Sequence, residues 1–491
     1  MNLLFIVSDT LRWDYLGAYG NTWIETPNLD RLAAASVVFE DAYAEGLPTL
    51  PARRVMQTGR PIVPFRYVPQ KSDMVQCHGW HGVFDEDVTA AEWLGEQGYV
   101  SCLVTDVYHM MKPGKNFHRG FDCWYWIRGE EDDRFAIRDE AQVADLLAKA
   151  APNAQFRSRH WLTQHLMNRK DWASDADTYV GQVMRQAADW LEAYTLDAPF
   201  YMWVDCFDPH EPWDPPQDYA RRYDPSFDSL DGLVPPGLTS QMTEAQVRNT
   251  LTAYAGEVTL VDRWVGHLLD TLERTGKLDD TLIVFTSDHG CMLGEQGEMH
   301  KGVTRLRNQC TRLPLFIRHP KGEGAGQRVR GFVQHTDMLP TALGIMGLPQ
   351  HERMLGRNVW PSLTPVPSPT RSQASAGRGV PRSGGVRDYT VTAFGACASY
   401  RTDRWNYLTI WDPESDNPRP PELYDLQADP QELTNVAADH PQVAAELREA
   451  LQAHLRDHAP LTQGHLGGAA EVDALGEMGV KMSFDALPSL R

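Results

Sequence analysis

The segment TLPARRVMQTGR, residues 49–60, decides how this chain is organised. It follows the short segment EGLP, residues 45–48, and Pro51 stands where the first turn of a helix tolerates proline. The segment therefore predicts a loop that runs into a helix N-terminus at Thr49. The first backbone N–H groups of a helix are unpaired and lie at its positive end, so they can hold a tetrahedral oxyanion. Arg53, one helical turn further on, can reach the same oxygens.

A segment this short is also typical of an ordinary helix start, but its spacing resembles the signature of the sulfatase family, within the alkaline phosphatase superfamily. That signature is Cys or Ser-x-Pro-Ser-Arg, followed five residues on by Thr-Gly-Arg. Thr49 stands at the position of the Cys or Ser, which the family oxidises to formylglycine, and Ala52 replaces the second Ser. Because Thr is a secondary alcohol and cannot yield that aldehyde, the resemblance implies that Thr49 acts as a plain hydroxyl. The matching positions are Pro51, Arg53, Thr58, Gly59 and Arg60.

Length and composition indicate a soluble globular protein. The chain has 491 residues, of which 42% are hydrophobic and 23% charged. We expect a catalytic α/β domain over 1–360, a Pro/Ser/Gly-rich linker or mobile loop over 361–387, and a C-terminal α+β subdomain with a tail over 388–491. A net charge of −20 argues against nucleic acid as a partner. The expected partner is a small anionic ester, and homo-oligomer formation stays open.

The sequence also favours a cytoplasmic protein that does not enter a membrane. No apolar run approaches about 20 residues, the length of a transmembrane helix. The apolar segment LLFIV, residues 3–7, lacks a basic flank and a cleavage site, so it predicts a buried strand rather than a signal peptide. The seven cysteines are scattered without a Cys-x-x-Cys pair, which fits a reducing compartment and no thiolate zinc site.

Two apolar strands end in residues that can bind a metal ion. The N-terminal strand leads to Asp9, and the segment TLIVFTS, residues 281–287, leads to Asp288 and His289. Ligands collect at the carboxyl ends of strands in open α/β sheets, although an Asp at such a place can equally cap the next helix. Two carboxylates and an imidazole, completed by the Thr49 oxygen, predict a site for a divalent metal ion: Mn²⁺, Zn²⁺, Mg²⁺ or Ca²⁺.

The resemblance bears on the number of metal ions. The family starts with strand-Asp-Asp-x-Arg-x-Asp, and both leading Asp residues bind metal, whereas the second position here is Thr10. One Asp after the first strand and a later Asp-His look most like the phosphonate monoester hydrolase and phosphodiesterase branch, which implies a single ion. Two-metal members of the superfamily usually add Asp-x-x-x-His and a distant His. That spacing is absent, although four residues keep the question open: Asp205, Asp208, His210 and His300.

Further residues stand where the resemblance implies contact with the substrate. The segment PHEP, residues 209–212, matches the family's Pro-His-x-Pro, so His210 is expected at the leaving group or the anion oxygens. Lys301 takes the place of the family's downstream Lys, and with Arg53 it is expected to bind the anion oxygens. His109 is what remains of the family's Gly-Lys-Trp-His, whose Lys is missing here. A His after a strand is also often structural.

The fold implied by the resemblance is α/β: a large mixed, mostly parallel sheet flanked by helices, as in alkaline phosphatase and the sulfatases, with a small C-terminal α+β subdomain. Amphipathic spacing predicts core helices over 177–194 and 244–274. The segment 117–171, rich in Trp, Arg and Asp, is typical of a packed surface excursion, but it would set substrate choice if it overhangs the site. The resemblance runs from about residue 2 to about residue 457 and includes ELYDLQADPQE at 422–432.

The activity that the resemblance implies is metal-dependent hydrolysis of phosphate, phosphonate or sulfate esters with Thr49 as the nucleophile. Arg53, Lys301 and the helix end would hold the non-bridging oxygens, and His210 or His109 would protonate the leaving group. Water must then release the Thr49 ester, a route that phosphoryl-enzymes routinely take, which favours phosphoesters. The alternatives are a sulfate ester hydrolase, a metal-dependent phosphomutase and an inactive anion-binding homologue.

Overall fold

The computed structural model describes residues 1–65, 77–131, 133–150, 159–227, 233–360, 386–410 and 420–462. Most of the predicted linker, 361–385, lies outside these residues, as does the predicted tail beyond 462. The strands are β1 Asn2–Ser8, β2 Val37–Phe39, β3 Ala42–Tyr43, β4 Gly46–Leu47, β5 Val100–Thr105, β6 Cys123–Trp126, β7 Phe200–Cys206, β8 Thr281–Ser287, β9 Met292–Leu293, β10 Met299–His300, β11 Arg312–Leu313, β12 Leu315–Arg318, β13 Arg328–Val329, β14 Val333–Gln334, β15 Thr390–Phe394, β16 Cys397–Arg401, β17 Trp405–Ile410 and β18 Glu422–Asp425. The helices are α1 Pro27–Ala34, α2 Thr49–Thr58, α3 Ala90–Glu96, α4 Tyr108–Met111, α5 Ala144–Ala150, α6 Arg159–Arg169, α7 Tyr179–Ala193, α8 Gln217–Ala220, α9 Glu244–Arg274, α10 Asn308–Thr311, α11 His335–Met346 and α12 Pro441–His458.

A large sheet in the order β13-β2-β12-β8-β1-β7-β5-β6 forms the centre of the molecule. The run from β8 to β6 is parallel, whereas β12 is antiparallel to both of its neighbours. Successive side chains of β1 point to opposite faces, so Leu3 and Phe5 belong to one hydrophobic core and Leu4 and Ile6 to another. Helices cover both faces, which explains why the central strands are apolar throughout. The predicted α/β class, with a mostly parallel sheet between helices, is confirmed.

The two layers of helices follow from amphipathic spacing. Helices α7 and α9 bury their apolar residues in the core on the side of Leu4, and α2, α3 and α11 do so on the side of Leu3. Both predicted core helices, over 177–194 and 244–274, are present as α7 and α9. The start of α9 is fixed by a capping box, in which the Thr243 hydroxyl accepts from the backbone N–H of Gln246 and the Gln246 side chain accepts from that of Thr243.

A second, smaller sheet has the order β18-β17-β16-β15-β4. Its first four strands come from the C-terminal region and are antiparallel, as a small α+β subdomain requires. The fifth strand, β4, is parallel to β15 and comes from Gly46–Leu47, directly before the segment at 49–60. The C-terminal subdomain is therefore present, but its sheet includes residues of the N-terminal region.

Helix α2 lies between two cores, and every one of its ten residues is buried. Leu50 and Met56 pack into the core of the central sheet, whereas Val55 packs against the C-terminal subdomain. Gly59 ends the helix in the left-handed conformation with φ of 60°, which glycine adopts without steric cost. The helix therefore packs on both sides, and it begins at Thr49, as the opening segment predicts.

Two observations bear on the environment of the chain. Among the described helices, none combines the length and the apolar character needed to cross a bilayer. All seven cysteines are free thiols, and six of them are buried.

A buried carboxylate, Glu432, connects the C-terminal region to the loops of the larger domain. Its side chain accepts hydrogen bonds from Arg401 Nη2 at 2.7 Å, from Asn406 Nδ2 at 2.5 Å and from the backbone N–H of Asn308 at 2.7 Å. The backbone carbonyl of Glu432 accepts from Gln296, in the loop that precedes Lys301. Removing this side chain would leave the guanidinium of Arg401 buried without its carboxylate.

We expect Glu432→Ala to lower the free energy of unfolding by about 3–5 kcal/mol, because one partner of a buried ion pair is removed. Denaturant unfolding, followed by circular dichroism, measures the change. The matched control is Arg31→Ala, since Arg31 and Asp270 form an exposed pair, and it should change the free energy by no more than about 1 kcal/mol. Equal effects of the two substitutions would contradict the structural role given to Glu432.

Candidate active site

Asp9, Asp288 and His289 form a fully buried cluster at the carboxyl end of the central sheet. Strands β1 and β8 are parallel neighbours in which Ser8 pairs with Ser287, so the residues that follow them come side by side. One ligand atom from each of the three side chains lies within 4.8 Å of the other two. The sheet register therefore brings together three of the predicted metal ligands.

The chemistry of this cluster fits a cation. His289 Nδ1 lies 3.0 Å from the carbonyl of Gly290, so Nε2 presents a lone pair. That nitrogen lies 3.5 Å from Asp288 Oδ2 and 4.0 Å from Asp9 Oδ1, and it has no hydrogen-bond partner among the described residues. Burial lowers the pKa of His289 to about 3, and burial with the nearby Asp288 raises the pKa of Asp9. A neutral lone pair facing two buried acids is favourable when a divalent ion lies among them.

Thr10, at the position of the family's second Asp, orients the two acids. Its hydroxyl donates to Asp9 Oδ1 at 2.6 Å, and its backbone N–H donates to Asp288 Oδ1 at 3.0 Å. The residue has φ of 61°, a left-handed conformation that is unfavourable for a β-branched side chain. Strained backbone of this kind persists where the surroundings hold it in place, often at functional sites. Thr10 thus replaces a metal-binding side chain with one that holds its neighbours.

Arg53 is fully buried, and its guanidinium contacts three carboxylates. Its Nε and Nη2 donate to Asp205 at 3.0 and 2.7 Å, and Nη1 lies 2.5 Å from Asp288 Oδ2 and 3.0 Å from Asp9 Oδ2. Asp205, left open above as a ligand of a second ion, is instead the bidentate partner of Arg53, and it also accepts from Trp203 Nε1 at 3.0 Å. Contact between Arg53 and substrate oxygens stays a prediction.

Thr49 is connected to the cluster of Asp9, Asp288 and His289 through Arg53. Its backbone carbonyl accepts from Arg53 Nη1 at 3.3 Å, the same nitrogen that contacts Asp9 and Asp288. Thr49 is the first residue of α2 and is almost fully buried. The helix N-terminus predicted to hold an oxyanion therefore lies beside the predicted metal ligands.

His210 and Lys301 form a close pair next to this cluster. The distance between His210 Nε2 and Lys301 Nζ is 2.5 Å, and His210 Nδ1 lies 2.5 Å from the backbone carbonyl of Glu211. Burial lowers the pKa of His210 to about 4, although the charge of Asp9 opposes this shift. His210 is therefore neutral near pH 7, donates through Nδ1 and accepts a hydrogen bond from the Lys301 ammonium.

His109 lies one aromatic ring away from this pair. Phe207 stacks on His210 with ring centroids 4.1 Å apart, and its centroid is 6.1 Å from that of His109. His109 Nε2 lies 3.3 Å from Glu131 Oε2, which also accepts from the Tyr108 hydroxyl at 2.9 Å. The segment 117–171 therefore contributes a buried acid to the surroundings of the site.

The structure groups three of the predicted site residues, places Thr49 beside them through Arg53, and puts the His210–Lys301 pair next to them with His109 one ring further away. The chemical roles predicted for these residues stay predictions. The structure also shows two buried carboxylates that the sequence did not assign. Glu211 adjoins His210 in a quoted motif, so proximity to His210 along the chain was the available signal. Glu131 has no such signal, because its contact with His109 depends on how a long excursion folds back. The added residues are Glu211 and Glu131, and Asp205, a candidate ligand in the sequence, pairs with Arg53.

The fold and the site together define a hydrolase of the alkaline phosphatase superfamily. The family model described as Sulfatase matches residues 1–348. The chain therefore belongs to the sulfatase family and is an ester hydrolase.

Relatives and solved structures agree with this assignment. The chain is 25% identical over 388 residues to the arylsulfatase of Clostridium perfringens, covering 70% of this chain and 74% of that protein. It is also 25% identical over 521 residues to the multifunctional alkaline phosphatase superfamily protein PehA of Trinickia caryophylli, covering 94% and 97%. The crystal structure of a phosphonate monoester hydrolase of Agrobacterium radiobacter shares the fold, with a TM-score of 0.66, 23% identity and coverage of 93% and 95%.

We expect His289→Ala to weaken the binding of a divalent ion by at least about 100-fold, because a side chain that points at the other two ligands is lost. Competition with a metal-sensitive dye measures the affinity, and elemental analysis measures the metal retained after dialysis. Asp14→Asn is the control, since Asp14 lies five residues after Asp9 but pairs with Arg12. An unchanged affinity of His289→Ala for the divalent ion would show that His289 is not a metal ligand.

Proposed function

We propose that this protein hydrolyses phosphate or phosphonate esters with Thr49 as the nucleophile and one divalent ion as the cofactor. The observation that carries the proposal is the shared contact of Arg53 Nη1 with the Thr49 carbonyl and the acids Asp9 and Asp288. A hydroxyl residue at a helix N-terminus beside a cation-binding cluster supports nucleophilic attack on a tetrahedral anionic ester.

The ion would be held by Asp9, Asp288 and His289, with the Thr49 oxygen as the fourth ligand. Mn²⁺, Zn²⁺, Mg²⁺ and Ca²⁺ are the candidates, and metal analysis of the isolated protein distinguishes them. When bound, a divalent ion lowers the pKa of a coordinated hydroxyl and offsets the charge of the ester oxygens.

The protein's own groups would supply the remaining interactions. The backbone N–H groups at the start of α2 and the ammonium of Lys301 would bind the non-bridging oxygens. His210 accepts a hydrogen bond from that ammonium and would hold it in place for this contact. His109, one ring further away, would contact the substrate beyond its reacting centre.

The reaction would proceed in two displacements. In the first, the Thr49 hydroxyl gives up its proton to solvent, its oxygen bonds to phosphorus, the bond from phosphorus to the leaving oxygen breaks, and that oxygen takes up a proton from the His210–Lys301 pair. In the second, water attacks phosphorus, the bond to Thr49 breaks, and the Thr49 oxygen takes up one proton of that water, while the His210–Lys301 pair regains its proton from solvent. The net change is the addition of one water molecule across the ester bond.

Phosphoesters fit a threonine nucleophile better than sulfate esters do. Thr49 cannot become formylglycine, so its ester must be released by attack at the central atom, and phosphoryl-enzymes are routinely released in this way. The similarity to a phosphonate monoester hydrolase supports this choice. The similarity to an arylsulfatase supports sulfate esters as the second candidate.

The seven free thiols support a cytoplasmic location for the reaction.

We expect Thr49→Ala to abolish hydrolysis, whereas Thr49→Ser, which keeps a hydroxyl, should retain measurable turnover. The assay uses nitrophenyl phosphate mono- and diesters, a nitrophenyl phosphonate and nitrophenyl sulfate, each with added metal. Thr58→Ala is the control, because Thr58 lies at the other end of α2 and its hydroxyl donates to the backbone carbonyl of Arg54. Turnover of Thr49→Ala at the wild-type rate would rule out the nucleophile.

The same panel separates the remaining alternatives. Preference for nitrophenyl sulfate would identify a sulfate ester hydrolase, and migration of phosphate without net release would identify a phosphomutase. Metal-dependent phosphate binding without turnover of any ester would identify an inactive anion-binding homologue. In an active enzyme, rapid quenching followed by mass spectrometry should find the phosphoryl group on the peptide that contains Thr49.

A further inference from the structure

Glu211 is a buried carboxylate that the proposed reaction does not use, yet it adjoins three residues at the site. Its Oε2 lies 3.6 Å from Lys301 Nζ and 3.6 Å from His210 Nδ1, and its Oε1 lies 3.5 Å from His300 Nδ1. The residue is only 2% exposed. One carboxylate thus faces His300 at the end of β10, Lys301 directly after it, and the histidine that accepts a hydrogen bond from Lys301.

His300 is itself held firmly in place. Its backbone has φ of 62°, its ring stacks on Trp213 with centroids 5.4 Å apart, and its Nε2 lies 2.6 Å from the carbonyl of Pro235. These contacts fix the backbone from which the Lys301 side chain starts. The carboxylate of Glu211 contacts both the His300 ring and the Lys301 ammonium, so it connects the fixed ring to the ammonium.

Lys301 has a long, flexible side chain, and the structure nearly buries it, with 13% of the side chain exposed. Ordering such a side chain costs about 1.5–2 kcal/mol of rotamer entropy, so a contact must hold it in one position. His210 supplies one hydrogen bond to Nζ. Glu211 supplies the opposite charge: burial opposes its ionisation, but the Lys301 ammonium and a hydrogen bond with His300 hold the pKa of its carboxyl well below the usual range.

We propose that Glu211 is a positioning residue that fixes the Lys301 ammonium against His210, in the place from which it binds the oxygens of an anionic ester. The inference rests on the proposed function, because that function gives Lys301 its role. Glu211 does not contact the substrate itself: it acts through Lys301.

Glu211 can affect the binding of an anion in two ways, through its own charge or through the position of Lys301, and these two effects change the affinity in opposite directions. If it acted only through its charge, removing a buried negative group near the site would strengthen the binding of phosphate. If it positions Lys301, removing it lets the ammonium move away, and phosphate binding weakens. The direction of the change therefore separates positioning from a general electrostatic effect.

The test uses the metal-loaded full-length protein and inorganic phosphate as the probe, with Kd measured by isothermal titration calorimetry. Glu211→Gln should weaken phosphate binding about 10-fold or more, because the nearly buried ion pair that holds the Lys301 ammonium is lost. Glu211→Asp, which keeps the charge on a shorter side chain, should give an intermediate Kd. The melting temperature of each variant reports whether it is folded.

A double-variant cycle makes the test specific to Lys301. Lys301→Met should weaken phosphate binding at least as much as Glu211→Gln, and the double variant should lose no more than Lys301→Met alone. Glu257→Gln is the matched control, because Glu257 is another fully buried glutamate, whose carboxylate accepts from the backbone N–H of Asp214. It should lower the melting temperature without changing the Kd for phosphate.

Each outcome decides between the two proposals. Unchanged or tighter phosphate binding by folded Glu211→Gln, or by Glu211→Asp if the first variant does not fold, would overturn the positioning role and leave the proposed function intact. Additive losses in the double variant would do the same. A wild-type protein that binds neither phosphate nor sulfate, with no effect of Lys301→Met, would overturn the proposed function and this inference with it.

Discussion

One guanidinium nitrogen, Arg53 Nη1, holds the centre of this molecule together. It contacts the carboxylates of Asp9 and Asp288 and the backbone carbonyl of Thr49. The rest of the guanidinium binds Asp205. Burying so many charges is unfavourable unless they neutralise one another. Three carboxylates against one guanidinium leave two negative charges, which is the charge that a divalent ion offsets. A divalent ion at this site would therefore complement the charge of the buried arginine.

The sequence was informative where local pattern and chain register decide the structure. The central strands β1 and β8 were predicted from short apolar runs, and the long helices α7 and α9 because their apolar residues repeat with the period of a helix. Asp9 and Asp288 were paired correctly because each ends a strand, and the carboxyl ends of neighbouring parallel strands meet at one edge. The resemblance to the sulfatases supplied the residues that periodicity does not reveal, such as His210 and Lys301.

The sequence was uninformative where a contact depends on distant chain segments. Arg53 was expected on the substrate, but the number of carboxylates around it depends on three strands at once, and Asp205 gave no sign of pairing with it. Glu131 reaches His109 from an excursion whose path no local pattern specifies. Thr10 shows a third limit: it was recognised as a departure from the family motif, but its hydrogen bonds to both acids follow only from its unusual backbone conformation.

The pairing of β4 with β15 has a consequence for how the protein matures during synthesis. Gly46 and Leu47, just ahead of Thr49, find their strand partners at Ala393 and Phe394, near the other end of the chain. A ribosome adds about 5–20 residues each second, so these partners emerge on the order of tens of seconds after β4 does. Until then, the residues ahead of Thr49 are without their neighbouring strand, so a nascent chain that stops short of β15 lacks this support for the start of α2.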